Sequence, residues 1–529
     1  MKLERLHEYI LITVVILLGI SFALFAGSKV GAGQPKIVIM ILVTIPLILA
    51  AAKYTSRLWI LIPLSSGLGG SMEGLPLQLP LYSLITLYVF VVFLALKALK
   101  IVRRKPTVDA VDLILLLFMA YLSLVFIRHP VGALGLDTDR IGGRIYFQIG
   151  ISFLGYWVLC LTTITPSLAQ KLPALMVIAP IFDGLAGLFA YFRPTWSEPI
   201  GRFYSAFATP DAVSTDLIDA SSIESKRFSF LSMPGGTLLK TLLSYFNPET
   251  LFNPMYFGRF LIFLIGFGCV FASGFRSLFA DIAFAFLIAT YLKGGLHHLI
   301  RLFLITIPLL FLLIAGQGLL YDLPLNVQRT LSFLPGHWDP DIITATQHSN
   351  EWRYAMWEDA LYTNRYIDDK IFGDGFGVDR KVYEAVQRGI ALQISQNIEA
   401  EALAIMGQFH NGALQAVRVV GFVGLFLYAV LLFGTAIQAV RVLKRCKGTP
   451  FYSLAFLMAL LSIATAVDLL HGGAILDFDI ERTIFRIGML KLISQSLNDD
   501  IKMQGSNLQN LHPARVELND LRPSRALPI

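Results

Sequence analysis

The chain reads as an all-α integral membrane protein, a polytopic bundle of about 12–14 transmembrane helices with a large periplasmic segment before the last helices. Three observations predict this. Of its 529 residues 55% are hydrophobic and 15% charged, whereas a soluble domain averages about 25% charged residues. Its mean hydropathy is +0.66. Apolar runs long enough to cross about 30 Å of hydrocarbon recur along it, and each has to be helical because lipid-facing backbone must close its hydrogen bonds within the segment.

Taken in order, Lys2 and Arg5 precede an apolar run that continues to Ala26. That run is long and has no small-x-small cleavage site ahead of a soluble domain, so it reads as a first membrane helix rather than a signal peptide. The predicted spans are 9–27, 37–52, 58–70, 77–96, 112–127, 147–164, 172–192, 229–246, 256–273, 277–292, 302–320, 413–436 and 451–470, with a shorter one at 484–497. The span at 58–70 is short and runs into Gly67–Gly70, and 229–246 holds Gly235, Gly236 and Lys240.

Orientation follows from short basic loops. Lys97, Lys100, Arg103, Arg104 and Lys105 form one cluster, and Arg441, Lys444, Arg445 and Lys447 another. Placing both in the cytoplasm puts 128–146, 193–228, 274–276 and 321–412 together on the outer side. The division expected is a bundle over 1–320, a periplasmic segment over 321–412, further membrane helices over 413–497 and a polar tail over 498–529. The segment 321–412 is too long for a connection inside a bundle. It predicts an amphipathic helix at 350–363, with Trp352, Met356, Trp357 and Ala360 on a membrane surface, a turn at Gly373, Gly375 and Gly377, and helix again over 381–408. The tail predicts little fixed structure.

The net charge of +7 is modest and gives no reason to expect nucleic acid as a partner. Cys160, Cys269 and Cys446 are scattered, indicating neither a disulfide framework nor a thiolate metal site. Asp137–Thr138–Asp139 and Asp368–Asp369 could hold a divalent ion through oxygen, but acidic pairs in loops are mostly solvated charges. The first outer loop, Ser28 to Lys36, has no carboxylate. A site without metal or other cofactor is the expectation.

The chemistry gathers where the polar segment meets the next apolar run, at His410–Asn411–Gly412. Asn411, Gln415 and Arg418 fall at i, i+4 and i+7, on one helical face. An arginine two turns into a membrane helix either lines a wet cavity or snorkels to the interface. In the first case His410 stands at the cavity rim, where an imidazole can accept a proton from a hydroxyl. Arg276 follows the tight turn Ser273–Gly274–Phe275, and is either a planar, paired donor held for phosphate oxygens at the surface or simply the polar residue that such a turn needs. Arg353 would grip phosphate at headgroup depth or form a solvated helix face. Residues 321–409 carry seven Lys/Arg and thirteen Asp/Glu, so phosphate recognition falls to individual arginines. Arg140, Arg144, Arg202 and Arg227 are further candidates.

At these residues the chain resembles the O-antigen ligase and O-antigen polymerase family of bacterial membrane glycosyltransferases. The resemblance rests on Ser273–Gly274–Phe275–Arg276–Ser277, on Arg353 with Trp357, on Gly373–Gly375–Gly377, and on His410–Asn411 with Leu414, Gln415, Gly421 and Gly424. It covers about residues 200–435 in order and spacing. The chain departs from the family at Arg418–Val419–Val420, where a glutamate often precedes the first helix glycine, and at Phe275, where a small polar residue is usual.

The resemblance implies a fold of the GT-C type in the bacterial inner membrane. Its donor would be a glycan on undecaprenyl diphosphate, presented at the periplasmic face, and its acceptor a glycan or a lipid A-type molecule. Arg276 and Arg353 would bind the diphosphate; Gln415 and Arg418, on the face read from helical spacing, would line the same site. His410 would orient or deprotonate the acceptor hydroxyl, and Asn411 would fix the ring or the helix start. The transfer would be inverting and metal-independent. A lipid-linked glycan transporter or flippase, or a non-catalytic polysaccharide-export protein, is the alternative; no internal repeat of the kind transporters carry is evident.

Overall fold

The computed structural model describes residues 55–72, 78–98, 100, 102, 104, 106–132, 140–207, 228–391, 403–471 and 475–511. The chain divides into two compact units, Met1–Ile60 and Leu61–Ile529. Of the first, the described part is the 3-10 turn Thr55–Ile60. The spans expected at 9–27 and 37–52 lie outside the described residues.

The second unit is almost wholly helical. Its main helices are α1 Leu81–Ala98, α2 Ala110–Arg128, α3 Gly143–Leu161, α4 Pro166–Leu175, α5 Ile178–Phe192, α6 Ser232–Tyr245 and α7 Phe257–Ser273. They continue as α8 Arg276–Gly316, α9 Leu325–Leu331, α10 Pro340–Tyr362, α11 Arg380–Ala391, α12 Gly412–Arg445, α13 Tyr452–His471 and α14 Leu476–Leu511. Among the described residues seven helices are long and apolar enough to cross a membrane, counting α4 and α5 as one. Large apolar side chains such as Ile127, Phe311 and Phe426 stand exposed on them, as lipid-facing surfaces do. The single strand pairing among the described residues joins β1 Arg140–Ile141 to β2 Val378–Asp379.

Most predicted spans coincide with helices, and the departures have identifiable causes. The span expected at 58–70 contributes only the five-residue helix Leu61–Ser65 to this unit. The spans at 277–292 and 302–320 are two arms of α8, joined at Gly295 with φ 67° and ψ −161°. A straight helix of that length would extend about 60 Å. Instead Asn326, beyond its far end, reaches the Ala272 carbonyl beside its start at 3.5 Å, so the arms double back at the glycine. Gly235 and Gly266 let α6 and α7 approach closely: a Cβ on Gly235 would lie 3.0 Å from the Gly266 carbonyl.

The largest correction concerns α14. The short span expected at 484–497 is a 36-residue helix, and it lies at the centre of the unit, buried along nearly all of Leu476–Leu497. It packs chiefly on α3, where Gly488 leaves room for Leu159 and Tyr156. Its polar side chains are met by neighbours. Arg486 donates to Thr465 Oγ1 at 2.5 Å. Lys491 Nζ sits 2.5 Å from Asp112 and 2.7 Å from Asp109. Tyr156 donates to Asp112 at 2.8 Å. The same helix runs into the region expected to be an unstructured tail, which is helical to Leu511.

Contacts sort the loops into two ends. Arg104 pairs with Asp499 at 3.1 Å, and Arg445 donates to Ser494 and Asn498. The two basic clusters therefore share one end, around the C-terminal half of α14. At the other end Arg128 pairs with Asp369 at 2.6 Å, and Arg140 donates to the Asp374 and Gly377 carbonyls.

Candidate functional site

At the end opposite the basic clusters, α10 packs against the start of α12. Helix α10 starts at Pro340 behind the cap of Asp339, whose carboxylate accepts from Asp341 N at 2.9 Å. The helix is longer than expected, and its apolar face meets protein rather than a membrane surface. Met356 and Ala360 are buried together with Phe409, Leu414 and Val417. Trp357 Nε1 donates to the Phe409 carbonyl at 2.6 Å.

That contact fixes the residue before His410, and His410 itself has φ 51°, a left-handed conformation that costs a side-chain-bearing residue about 1–2 kcal/mol. Such strain persists only where the surroundings over-determine it. Here Trp357 holds the chain on one side. On the other, Asn411 caps α12, its Oδ1 accepting from Leu414 N at 3.1 Å. The His410 ring lies edge-on to Trp352 at 6.2 Å between centroids.

Arg353 is the next residue of α10. It is half-buried, and its Nε is fully buried with no hydrogen-bond partner. Arg276 stands at the first position of α8, after α7 is closed by Gly274 in a left-handed conformation with φ 70°. It lies within electrostatic reach of both Arg353 and Arg329. Arg329, on α9, was not singled out from the sequence. The only signal for it is an isolated arginine in an acidic segment, just after a membrane span. Burial, and then the charge of Arg329, holds the Arg353 guanidinium below the usual arginine range. Among the described residues no carboxylate pairs with Arg276 or Arg353. Arg276 and Arg353, with no described carboxylate paired to either and the Arg329 guanidinium close by, form a site that favours a multiply charged anion, since each guanidinium offers paired donors to oxygen.

Gln415 and Arg418 behave differently from the expectation of a face lining a wet cavity. Gln415 Oε1 accepts from Leu476 N at 3.1 Å, tying the start of α12 to the start of α14. Arg418 is 7% exposed. Its guanidinium donates to the carbonyls of Gly375 at 3.0 Å and Gly377 at 3.1 Å. An arginine inside the bundle is stable there because carbonyl dipoles replace water.

The glycine turn is thus a structural interlock. Helix α12 breaks at Gly421, with φ 67° and ψ 179°, which frees backbone groups that must find other partners. Asp374 N and Gly375 N donate to the Arg418 and Val419 carbonyls at 2.8 and 2.9 Å. Phe422 N and Val423 N donate to the Lys370 and Ile371 carbonyls at 2.8 and 3.1 Å. Tyr121 donates to the Val420 carbonyl at 2.8 Å. The amides of Asp374 and Gly375 are occupied this way, so they do not cradle a phosphate.

The acidic residues of this turn are also engaged. The Asp374 carboxylate accepts from Asp368 N and Asp369 N at 3.0 and 2.9 Å. The Asp369 carboxyl is held below the usual carboxylate range by the Phe372 amide and by Arg128. Among the described residues no group of three or more His, Cys, Asp or Glu converges to hold a metal, and Asp137–Thr138–Asp139 lies outside them. Of the other arginines singled out, Arg140 is bound to the turn, Arg144 lies near Asp477, Arg202 is exposed and Arg227 lies outside the described residues.

The structure therefore links His410 through Trp352 to the helix that carries Arg353, and brings Arg353 to Arg276 and Arg329. It places Gln415 and Arg418 in the scaffold behind them. No protein-family model and no curated protein matches the chain.

Proposed function

We propose that this protein is a membrane glycosyltransferase of the O-antigen ligase and polymerase kind, joining a glycan from undecaprenyl diphosphate to an acceptor hydroxyl. The observation that carries this reading is the cluster of Arg276, Arg329 and Arg353, the last of them next in sequence to Trp352, whose ring meets that of the strained His410. In the reaction the acceptor oxygen attacks the anomeric carbon and the bond from that carbon to the diphosphate oxygen breaks. The electron pair leaves with the diphosphate, and the hydroxyl proton passes to His410. The guanidinium groups offset the charge that develops on the leaving group. Attack from the face opposite the diphosphate inverts the anomeric centre. Positioning and charge stabilisation are what this leaving group requires.

On this reading the end bearing the arginines faces the periplasm and the basic clusters face the cytoplasm, as the positive-inside rule orders them. The bundle then lies in a bacterial inner membrane. Counting the two arms of α8, the shorter α6 and α7, and α14 as spans approaches the 12–14 expected from the sequence. The acceptor is a growing polysaccharide or a lipid A-type glycolipid.

The test is transfer by the purified protein in liposomes supplied with lipid-linked glycan and acceptor. New glycosidic product without an ion gradient, lost in His410→Ala, supports the assignment. Absence of product from the wild type refutes it. A lipid-linked glycan transporter is the competing reading, favoured by the charged side chains buried along α14. It predicts movement of the lipid between leaflets with no new bond.

A further inference from the structure

At the basic end, far from the arginine cluster, the seam between α12 and α13 opens into a groove of about 360 Å³ lined by Ala436, Ile437, Val440, Arg441, Lys444 and Ile463. From Ala436 to Lys444 the wall of α12 extends about 12 Å at 1.5 Å per residue. Its lining changes in one direction. Ala436, Ile437, Val440 and Ile463 make the deeper part apolar, and both cations stand at the helix end.

Arg441 and Lys444 are three residues apart and share a face. Both are exposed, and among the described residues neither pairs with a carboxylate. Their neighbour Arg445 is engaged differently, with its guanidinium turned to Ser494 and Asn498 of α14. The two outward cations are therefore not used in holding the bundle together.

We propose that this groove binds an anionic phospholipid. One acyl chain lies along Ala436, Ile437, Val440 and Ile463, and the phosphate oxygens meet Arg441 and Lys444. The order of the lining argues for this occupant. An apolar floor that ends in two unpaired cations, at the depth where a helix leaves hydrocarbon, matches an amphiphile with a negative head. A zwitterionic lipid would bring its own cation to the same mouth. This site stands apart from the proposed transfer reaction and does not depend on it.

The experiment places the protein in nanodiscs of equimolar dioleoylphosphatidylglycerol and dioleoylphosphatidylcholine, and counts lipids retained after mild stripping by native mass spectrometry. The wild type is expected to retain one phosphatidylglycerol with about tenfold preference over phosphatidylcholine. Arg441→Gln/Lys444→Gln removes the head contacts and Val440→Trp fills the floor; each should bring retention to parity. Lys97→Gln/Lys100→Gln removes equal charge elsewhere at the same end and should leave the preference intact. Parity in the wild type would mean ordinary annular lipid and overturn the proposal. So would an undiminished preference in both groove variants.

Discussion

The guanidinium of Arg418 donates to the carbonyl of Gly375 at 3.0 Å, joining the first turns of α12 to the loop that plugs the break in the same helix. Both sides of this contact are needed. Removing the guanidinium leaves the buried Gly375 carbonyl without its donor, at a cost of about 1–3 kcal/mol, and leaves the Gly377 carbonyl to Arg140 alone. Arg418→Met should therefore lower thermal stability sharply, and Arg418→Lys, lacking the paired donors, should recover little of it. Differential scanning fluorimetry in detergent reads both.

Gly421 is the other half of the interlock. A Cβ there would overlap the Ile371 carbonyl, and the residue has φ 67°. Gly421→Ala should destabilise by about 1–3 kcal/mol from backbone conformation alone, with the overlap in addition. Gly424, further along α12, has ordinary helical geometry, but its Cβ position is blocked by Val420 and Tyr121. Gly421→Ala is thus expected to expose the 366–377 loop to protease before the rest of the chain, a result that limited proteolysis checks.

His410 separates stability from activity. Its φ of 51° suits glycine better than any residue with a Cβ. His410→Gly should be more stable than His410→Ala by about 1 kcal/mol. Under the proposed function both should abolish transfer. Equal stability of the two variants would show that the left-handed conformation carries no strain.

Trp357 is the support of that conformation. Trp357→Phe keeps the ring but loses the donor to the Phe409 carbonyl, a loss of about 0.5–1.5 kcal/mol. If the bond sets the aim of His410, kcat should fall while KM for the lipid donor stays nearly constant. A parallel rise in KM would place Trp357 in substrate binding instead.

The arginine cluster should act on anion affinity. Arg353→Ala or Arg329→Ala removes a charge-assisted contact, which is worth about 1.5–3 kcal/mol. A drop of about tenfold or more in affinity for inorganic pyrophosphate is expected, with the remaining affinity less sensitive to salt. Isothermal titration at two ionic strengths measures both. Unchanged affinity in both variants would remove these residues from the site.

The sequence by itself determined the membrane character, most of the helices and the grouping of the two basic clusters at one end. Each depends on composition over about 20 neighbouring residues, because hydrocarbon imposes the same demand on every span it touches. It also pointed to the region of the candidate site, since His410, Arg353 and Arg276 each mark a polar interruption at the edge of an apolar run. Only the tertiary structure decided the roles. Helix α14 is central although its sequence is polar, because a helix enclosed by other helices meets protein groups rather than lipid, and Lys491 and Arg486 find partners on α2 and α13. Arg418 and Gln415 belong to the scaffold, and Arg329 joins the cluster, because the groups that engage each residue come from distant parts of the chain. Local spacing carries no record of such partners; the folding back of α8 at Gly295 and the loop inserted at Gly421 create them.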